Sequence, residues 1–135
     1  MTKPVTRLVL RSDPEEVPGL QSKLLTLCGE AGLDDLGAFQ LTCAIVEAVN
    51  NFIEHAYRGE TGHLISLRWL RGPESIAVEI RDSGRTMPSE TPQTRSSADV
   101  DAESGRGWQI IRQWTDSAIY KREDEDNVLT LTRHL

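Results

Sequence analysis

The sequence predicts an α/β (α+β) fold, a two-layer sandwich in which three main helices lie on one face of a mixed, mostly antiparallel sheet. Segments with alternating apolar residues, which are typical of strands, follow one another directly at two places in the chain. Two segments with apolar residues at helical spacing precede the first of these strand pairs. Because runs of adjacent strands indicate antiparallel pairing, a doubly wound parallel sheet is disfavoured.

The first half of the chain predicts one strand followed by two helices. The strand spans Val5–Arg11, and the first helix then runs to about Ala31, where Gly32 is expected to end it. The second helix begins at Asp34 or Asp35. We expect it to be the central helix because it has a broad apolar stripe, formed by Phe39, Leu41, Ile45, Ala48, Val49, Phe52 and Ile53.

The second half predicts four more strands and a third helix, all within a single domain that spans residues 1–135. Residues 83–104 contain two prolines and no periodic pattern, so we interpret them as a mobile lid. The other predicted elements are strands at 63–70 and 75–82, a helix at 107–114, and strands at 117–122 and 127–134.

The composition is that of a globular protein, with 38% hydrophobic and 27% charged residues. No run approaches the eighteen or so apolar residues that a membrane span requires, and the first residues lack the apolar core of a signal peptide. We therefore expect a soluble, cytoplasmic protein that does not associate with a membrane.

Charge and cysteine content exclude further classes of function. A net charge of -6 would repel a phosphate backbone, so direct binding of nucleic acid is not expected. Cys28 and Cys43 are the only cysteines, and both fall on apolar faces of predicted helices. We expect buried, reduced thiols rather than a disulfide or a zinc site.

Glu47, Asn51 and His55 recur every fourth residue in the second helix, so they lie along one side of it. Mg²⁺ prefers oxygen ligands and keeps several waters, which makes the Asn51 amide a suitable single ligand. Glu47 could then orient or deprotonate a nucleophile beside a phosphate. Asn50 lies about 100° around the helix from Asn51, so only one of the two shares this face. The alternative is that Glu47 and Asn51 simply face solvent; His55 is more typical of a supporting residue than of a ligand.

Two glycine-containing turns follow. Asp82 ends a predicted strand and could accept a hydrogen bond from an adenine amino group, while Gly84 would let the base lie close to the backbone. Gly105, Arg106 and Gly107 precede or begin a helix, where free amides and the helix dipole favour phosphate. Arg106 could approach the phosphates. A plain turn at the end of a strand and a plain helix cap remain the alternative interpretations.

Taken together, these motifs resemble those of the GHKL ATPase superfamily. EAVNNFIEHAY resembles its N box, RDSGR its first glycine box and SGRGWQII its second glycine box. The resemblance covers nearly the whole chain and is greatest to the small anti-sigma factor serine-protein kinases.

The resemblance implies a Bergerat-type sandwich that binds ATP and Mg²⁺ under a flexible lid. It places Glu47 as general base, Asn51 as magnesium ligand and Asp82 as adenine-reading residue; the glycine-box positions are Gly84, Gly105 and Gly107. It further implies a homodimer that holds a sigma factor and phosphorylates a serine on a STAS-domain antagonist.

Two positions depart from the family pattern. Thr86 stands where the first glycine box usually has a second glycine, and Glu103 stands where kinase members tend to have an arginine near the γ-phosphate. Transfer would then need Arg106 or Arg95 as a substitute. A binding module that sequesters a partner without phosphorylating it is therefore the alternative function. The detached catalytic domain of a histidine kinase is a further rival, disfavoured because no phosphoacceptor hairpin precedes the domain.

Overall fold

The computed structural model describes residues 5–57, 60–83 and 106–135. The predictions for Gly84 and Gly105, for the two departures at Thr86 and Glu103, and for the lid beyond residue 83 lie outside these described residues.

The elements occur in the predicted order. The strands are β1 (Val5–Arg11), β2 (Leu64–Arg71), β3 (Ser75–Asp82), β4 (Ser117–Glu123) and β5 (Asp126–His134). The helices are α1 (Val17–Glu30), α2 (Asp35–Asn51) and α3 (Arg106–Trp114). A 3-10 turn at Pro14–Glu16 precedes α1, and a π-helical turn at Phe52–Ala56 extends α2.

The five strands form one sheet in the order β1-β2-β3-β5-β4. The predicted α/β sandwich is confirmed. However, all the ladders in the described sheet are antiparallel, so it is not mixed as we expected. Strands β2 and β3 are consecutive along the chain, as are β4 and β5, whereas α1 and α2 lie between β1 and β2. The pair β3 and β5 has α3 and β4 between its strands in sequence. This pairing sets Asp82 directly opposite Asn127.

Local signals begin and end the helices as their sequence predicts. The Asp34 carboxylate accepts a hydrogen bond from the Gly37 amide at 2.7 Å and caps the start of α2. Gly32 adopts a positive φ of 94°, a conformation that suits glycine and turns the chain between α1 and α2.

The core lies between the inner face of the sheet and the helices. The predicted central helix α2 packs against both α1 and α3. Five of the seven predicted stripe residues of this helix are fully buried, and Ile53 is almost so, but Phe39 is 53% exposed. Its ring instead contacts Trp114 at the rim of the α2–α3 interface, so the prediction that Phe39 belongs to the core is wrong.

The cysteines differ from each other. Cys28 is buried as predicted, and burial raises the pKa of its thiol. Cys43 is only partly buried, contrary to expectation; burial and then the charge of Glu47 raise its pKa.

By length and composition alone, the helical segment Asp35–His55 is long and apolar enough to cross a membrane. This differs from the expectation that no segment of the sequence is apolar enough to do so. Its most apolar window has a mean hydropathy of 1.3, and 56% of that window is buried inside the structure. The apolar content of α2 is accounted for by its place in the core, between α1 and α3.

Candidate nucleotide site

The end of α2 carries two of the predicted site residues. Glu47 and Asn51 are one helical turn apart, and the side chain of Asn51 is buried with the residue 9% exposed. Asn50 is exposed, so Asn51 is the asparagine that faces the interior. Among the described residues, Nδ2 of Asn51 has no hydrogen-bond partner, although buried amides normally have one.

His55 lies beyond the last residue of α2. It lies in the π-helical turn Phe52–Ala56, where the backbone is wound more widely than in an α-helix, and it is half-buried. Its place in the site with Glu47 and Asn51 stays a prediction. No described contact joins His55 to the other two.

Gly107, in the first turn of α3, packs against these two side chains. A Cβ atom added at Gly107 would lie 3.1 Å from Oε2 of Glu47 and 3.3 Å from Nδ2 of Asn51. At these distances the carboxylate or the amide would have to shift by a few tenths of an ångström to admit a side chain. The structure thus brings Gly107 to Glu47 and Asn51, which lie more than fifty residues earlier in the chain.

The first turn of α3 therefore lies beside Glu47 and Asn51. The helix begins at Arg106 and is 9 residues long, so its first amides have no partner within the helix. Free amides and the positive end of the helix dipole favour an anionic group such as phosphate. Of the predicted phosphate-binding residues, Gly107 is placed here; the Arg106 side chain and Gly105 lie outside the described part.

Asp82 is held at the end of β3 by a buried polar network. It is 4% exposed, and its Oδ1 accepts a hydrogen bond from Nδ2 of Asn127 at 2.8 Å. Oδ1 of Asn127 in turn accepts from the Tyr120 hydroxyl and from Nη1 of Arg122. A carboxylate fixed in this way can serve as a rigid acceptor.

Asn127 is not among the residues that the motifs predict for the site. One signal was available: Asn127, Leu129 and Leu131 alternate on the inward face of β5, which makes Asn127 a polar residue at a core position. A fully buried asparagine requires partners, but only the register of β5 against β3 identifies Asp82 as one of them.

A groove of about 530 Å³ adjoins Asp82 and is lined in part by Tyr57, His63 and Ser83. The rings of Tyr57 and His63 stack at 4.3 Å with an interplanar angle of 6°. Burial, and then the negative charge of Asp82, raises the pKa of Tyr57 to about 12. Asp82, the predicted base-reading residue, is thus part of the lining of this groove.

The polar groups near Asn51 suit Mg²⁺, which needs few protein ligands, better than a metal ion that is bound entirely by side chains. No group of three His, Cys, Asp or Glu side chains within the described ranges could hold a metal ion. A buried amide beside a helix start offers one oxygen ligand and leaves the other coordination positions to phosphate and water, which is how Mg²⁺ is commonly bound.

A comparison with protein-family models gives the class of the domain. The family described as histidine kinase-like ATPase domain matches residues 10–133. The chain therefore belongs to the histidine kinase-like ATPase domain family.

Individual relatives include protein kinases. The chain is 31% identical to the serine/threonine-protein kinase BtrW of Bordetella bronchiseptica over 100 residues, which are 71% of this chain and 70% of the relative. It is 29% identical to the serine-protein kinase RsbW of Listeria monocytogenes over 84 residues, 62% of this chain and 54% of the relative.

A solved structure confirms the fold. The crystal structure of the RsbU and RsbW domains of Rv1364c from Mycobacterium tuberculosis superposes with a TM-score of 0.69 at 19% identity. The similarity covers 97% of this chain and 32% of that longer chain.

Proposed function

We propose that this protein is an ATP-dependent serine kinase of the anti-sigma type. It transfers the γ-phosphate to a serine of a STAS-domain antagonist in a partner-switching system, and it works in the cytoplasm. The observation that carries the proposal is the approach of Gly107 to both Glu47 and Asn51, because it brings an acid, an amide and a helix start together. The names of BtrW and RsbW support a serine kinase.

Each site residue has a distinct role in this proposal. Asp82 accepts a hydrogen bond from the adenine amino group, and the first amides of α3 bind phosphate oxygens. Asn51 holds Mg²⁺ through its amide oxygen; the ion, when bound, neutralises charge on the phosphates.

Glu47 acts on the substrate serine. Its carboxylate accepts the hydroxyl proton as the serine oxygen forms a bond to the γ-phosphorus and the bond to ADP breaks. The helix anchors Glu47 one turn before Asn51, so the base lies beside the proposed magnesium ligand. The residues Arg106 and Arg95 are the candidates to offset the negative charge that Glu103 contributes in the sequence.

The test has two stages. Thermal unfolding should be measured with and without millimolar ATP and Mg²⁺, because a ligand that binds only the folded state raises the unfolding temperature. Radiolabelled ATP should then be offered together with a STAS-domain antagonist. A thermal shift followed by label on an antagonist serine is expected; absence of any shift would overturn nucleotide binding itself.

A second candidate function is a nucleotide-binding module that sequesters a partner without phosphorylating it. The residues Thr86 and Glu103, which depart from the kinase pattern, favour it. The same two measurements separate the candidates, since this module would show the thermal shift and no labelled antagonist.

We also propose that the protein forms a homodimer that binds a sigma factor. The face of the sheet opposite the helices carries Val9 and Leu64, which are 61% and 58% exposed. Apolar residues on an open sheet face are suited to contact with a second copy. Light scattering of the purified protein would report a mass of twice 15.1 kDa if the dimer forms and 15.1 kDa if it does not.

A further inference from the structure

A buried polar cluster lies on the inner side of the sheet, where β3, β5 and β4 meet. Asp82, Asn127 and Tyr120 are 4%, 0% and 6% exposed. Burying such groups is costly unless they are hydrogen-bonded, and here the three side chains bond to one another. Its hydrogen bonds form a chain: Arg122 and Tyr120 donate to Asn127, and Asn127 donates to Asp82.

Arg122 fixes the orientation of the Asn127 amide. The two ends of an asparagine amide have similar shapes, and their assignment follows from the hydrogen-bond partners. A guanidinium can only donate, and Nη1 of Arg122 lies 3.1 Å from one end of the amide. That end must be the oxygen, which the Tyr120 hydroxyl also approaches.

The NH₂ end of Asn127 consequently faces Asp82. Nδ2 lies 2.8 Å from Oδ1 of the carboxylate and donates to it. The antiparallel register places the two residues opposite each other, so the bond spans adjacent strands rather than a loop. Asn127 thus holds the Asp82 carboxylate in one orientation and engages it as an acceptor.

An acceptor at this place distinguishes purine bases by the group at carbon 6. Adenine has an amino group there, which donates, whereas guanine has a carbonyl oxygen, which would meet the carboxylate as a second acceptor. We propose that Asn127 is the positioning residue that sets the selectivity of this site for adenine nucleotides, acting through Asp82. The inference rests on the proposed function, in which Asp82 contacts the base.

The test compares nucleotides that differ at carbon 6 of the purine; ATP and purine riboside triphosphate differ only there, whereas GTP also has an amino group at carbon 2. Binding of ATP, GTP and purine riboside triphosphate, which lacks the 6-amino group, should be measured with Mg²⁺ for the wild type and for Asn127→Ala. We expect Asn127→Ala to weaken ATP binding about tenfold and binding of purine riboside triphosphate less than about twofold. The preference for ATP over GTP should fall by a similar factor.

Two further variants keep the result independent of stability. Asn127→Ser retains a hydroxyl donor and is expected to keep most of the preference for ATP, even if it unfolds at a lower temperature. Thr130→Val changes the outward face of the same strand, where Thr130 lies opposite Ile119, and should leave all three affinities unchanged. This separates loss of the donor from general damage to β5.

The outcomes are distinct. Equal losses for ATP and purine riboside triphosphate in Asn127→Ala, or an unchanged preference over GTP, would overturn the role of Asn127 while leaving the proposed function intact. Wild-type protein that binds no nucleotide would overturn the proposed function, and the inference with it. Selective loss of ATP binding in Asn127→Ala, with retention in Asn127→Ser, supports the inference.

Discussion

Gly107 lies against Glu47 so closely that a Cβ atom at Gly107 would be 3.1 Å from the Oε2 atom of the carboxylate. The residues belong to different helices, and their approach forms one wall of the candidate nucleotide site. Because any side chain at position 107 must push the glutamate or Asn51 aside, this contact is a sensitive place to test the site.

Gly107→Ala should impair nucleotide binding or transfer at least tenfold while changing the free energy of unfolding by less than about 1 kcal/mol. The added methyl displaces Glu47 and Asn51, whereas alanine is a better helix former than glycine. Calorimetric titration with ATP and urea unfolding measure the two effects. Gly29→Ala in α1 is the matched control, since a Cβ there would meet nothing within 4 Å, and it should leave binding unchanged.

Glu47→Gln should reduce phosphotransfer by about a hundredfold or more and leave the dissociation constant of ATP within about threefold of the wild-type value. The amide has the shape of the carboxylate but cannot accept the serine proton, and general bases contribute about 10²–10⁴-fold to such rates. Single-turnover transfer from radiolabelled ATP and equilibrium binding provide the two numbers. Unimpaired transfer in this variant would exclude Glu47 as the base.

Asp82→Asn, unlike Glu47→Gln, should weaken ATP binding, by about tenfold. The amide presents a donor where the adenine amino group needs an acceptor. The effect should appear in the dissociation constant measured with Mg²⁺ present. If ATP binds this variant as tightly as the wild type, Asp82 is not the residue that reads the base.

The Tyr57 phenol should ionise at a higher pH than a solvent-exposed tyrosine does. Burial and the charge of Asp82 raise its pKa to about 12, compared with about 10 in the unfolded chain. Folding therefore favours the protonated phenol, and this contribution to stability is fully present below about pH 10 and is lost as the pH rises towards 12.

Absorbance of the phenolate near 295 nm measures this step, and Tyr57→Phe should lack it. Asp82→Asn should lower the pKa of Tyr57 but leave it above 10, since burial is the larger cause of the shift. If Asp82→Asn left the ionisation of Tyr57 unchanged, the carboxylate would not act on the phenol.

Arg133 should stabilise the fold by joining β5 to two helices. Its Nη1 donates to the backbone oxygen of Trp114 and its Nη2 to Oε1 of Gln40, both at 2.9 Å. Arg133→Ala is expected to lower the free energy of unfolding by about 1–3 kcal/mol, measured with urea. Arg7→Ala, at an exposed position of β1, should change it by less than about 0.5 kcal/mol.

Much of the fold could be predicted because its signals are local. Alternation over a few residues identified β3 and β5, and the Asp34 cap and Gly32 marked the ends of the helices. Phe39 is an exception: helical spacing placed it on the apolar stripe, but it is 53% exposed and its ring contacts Trp114 at the rim. An apolar residue at the right spacing is buried only if another element covers it.

Within the candidate site, the sequence by itself determined which residue types were present and which face of α2 carried Glu47 and Asn51. Tertiary structure alone decided that Gly107 packs on this pair and that Asn127, 45 residues from Asp82 along the chain, holds its carboxylate. The physical reason is that periodicity and capping depend on neighbours within a turn or two, whereas these contacts depend on strand register and on how α3 packs against α2.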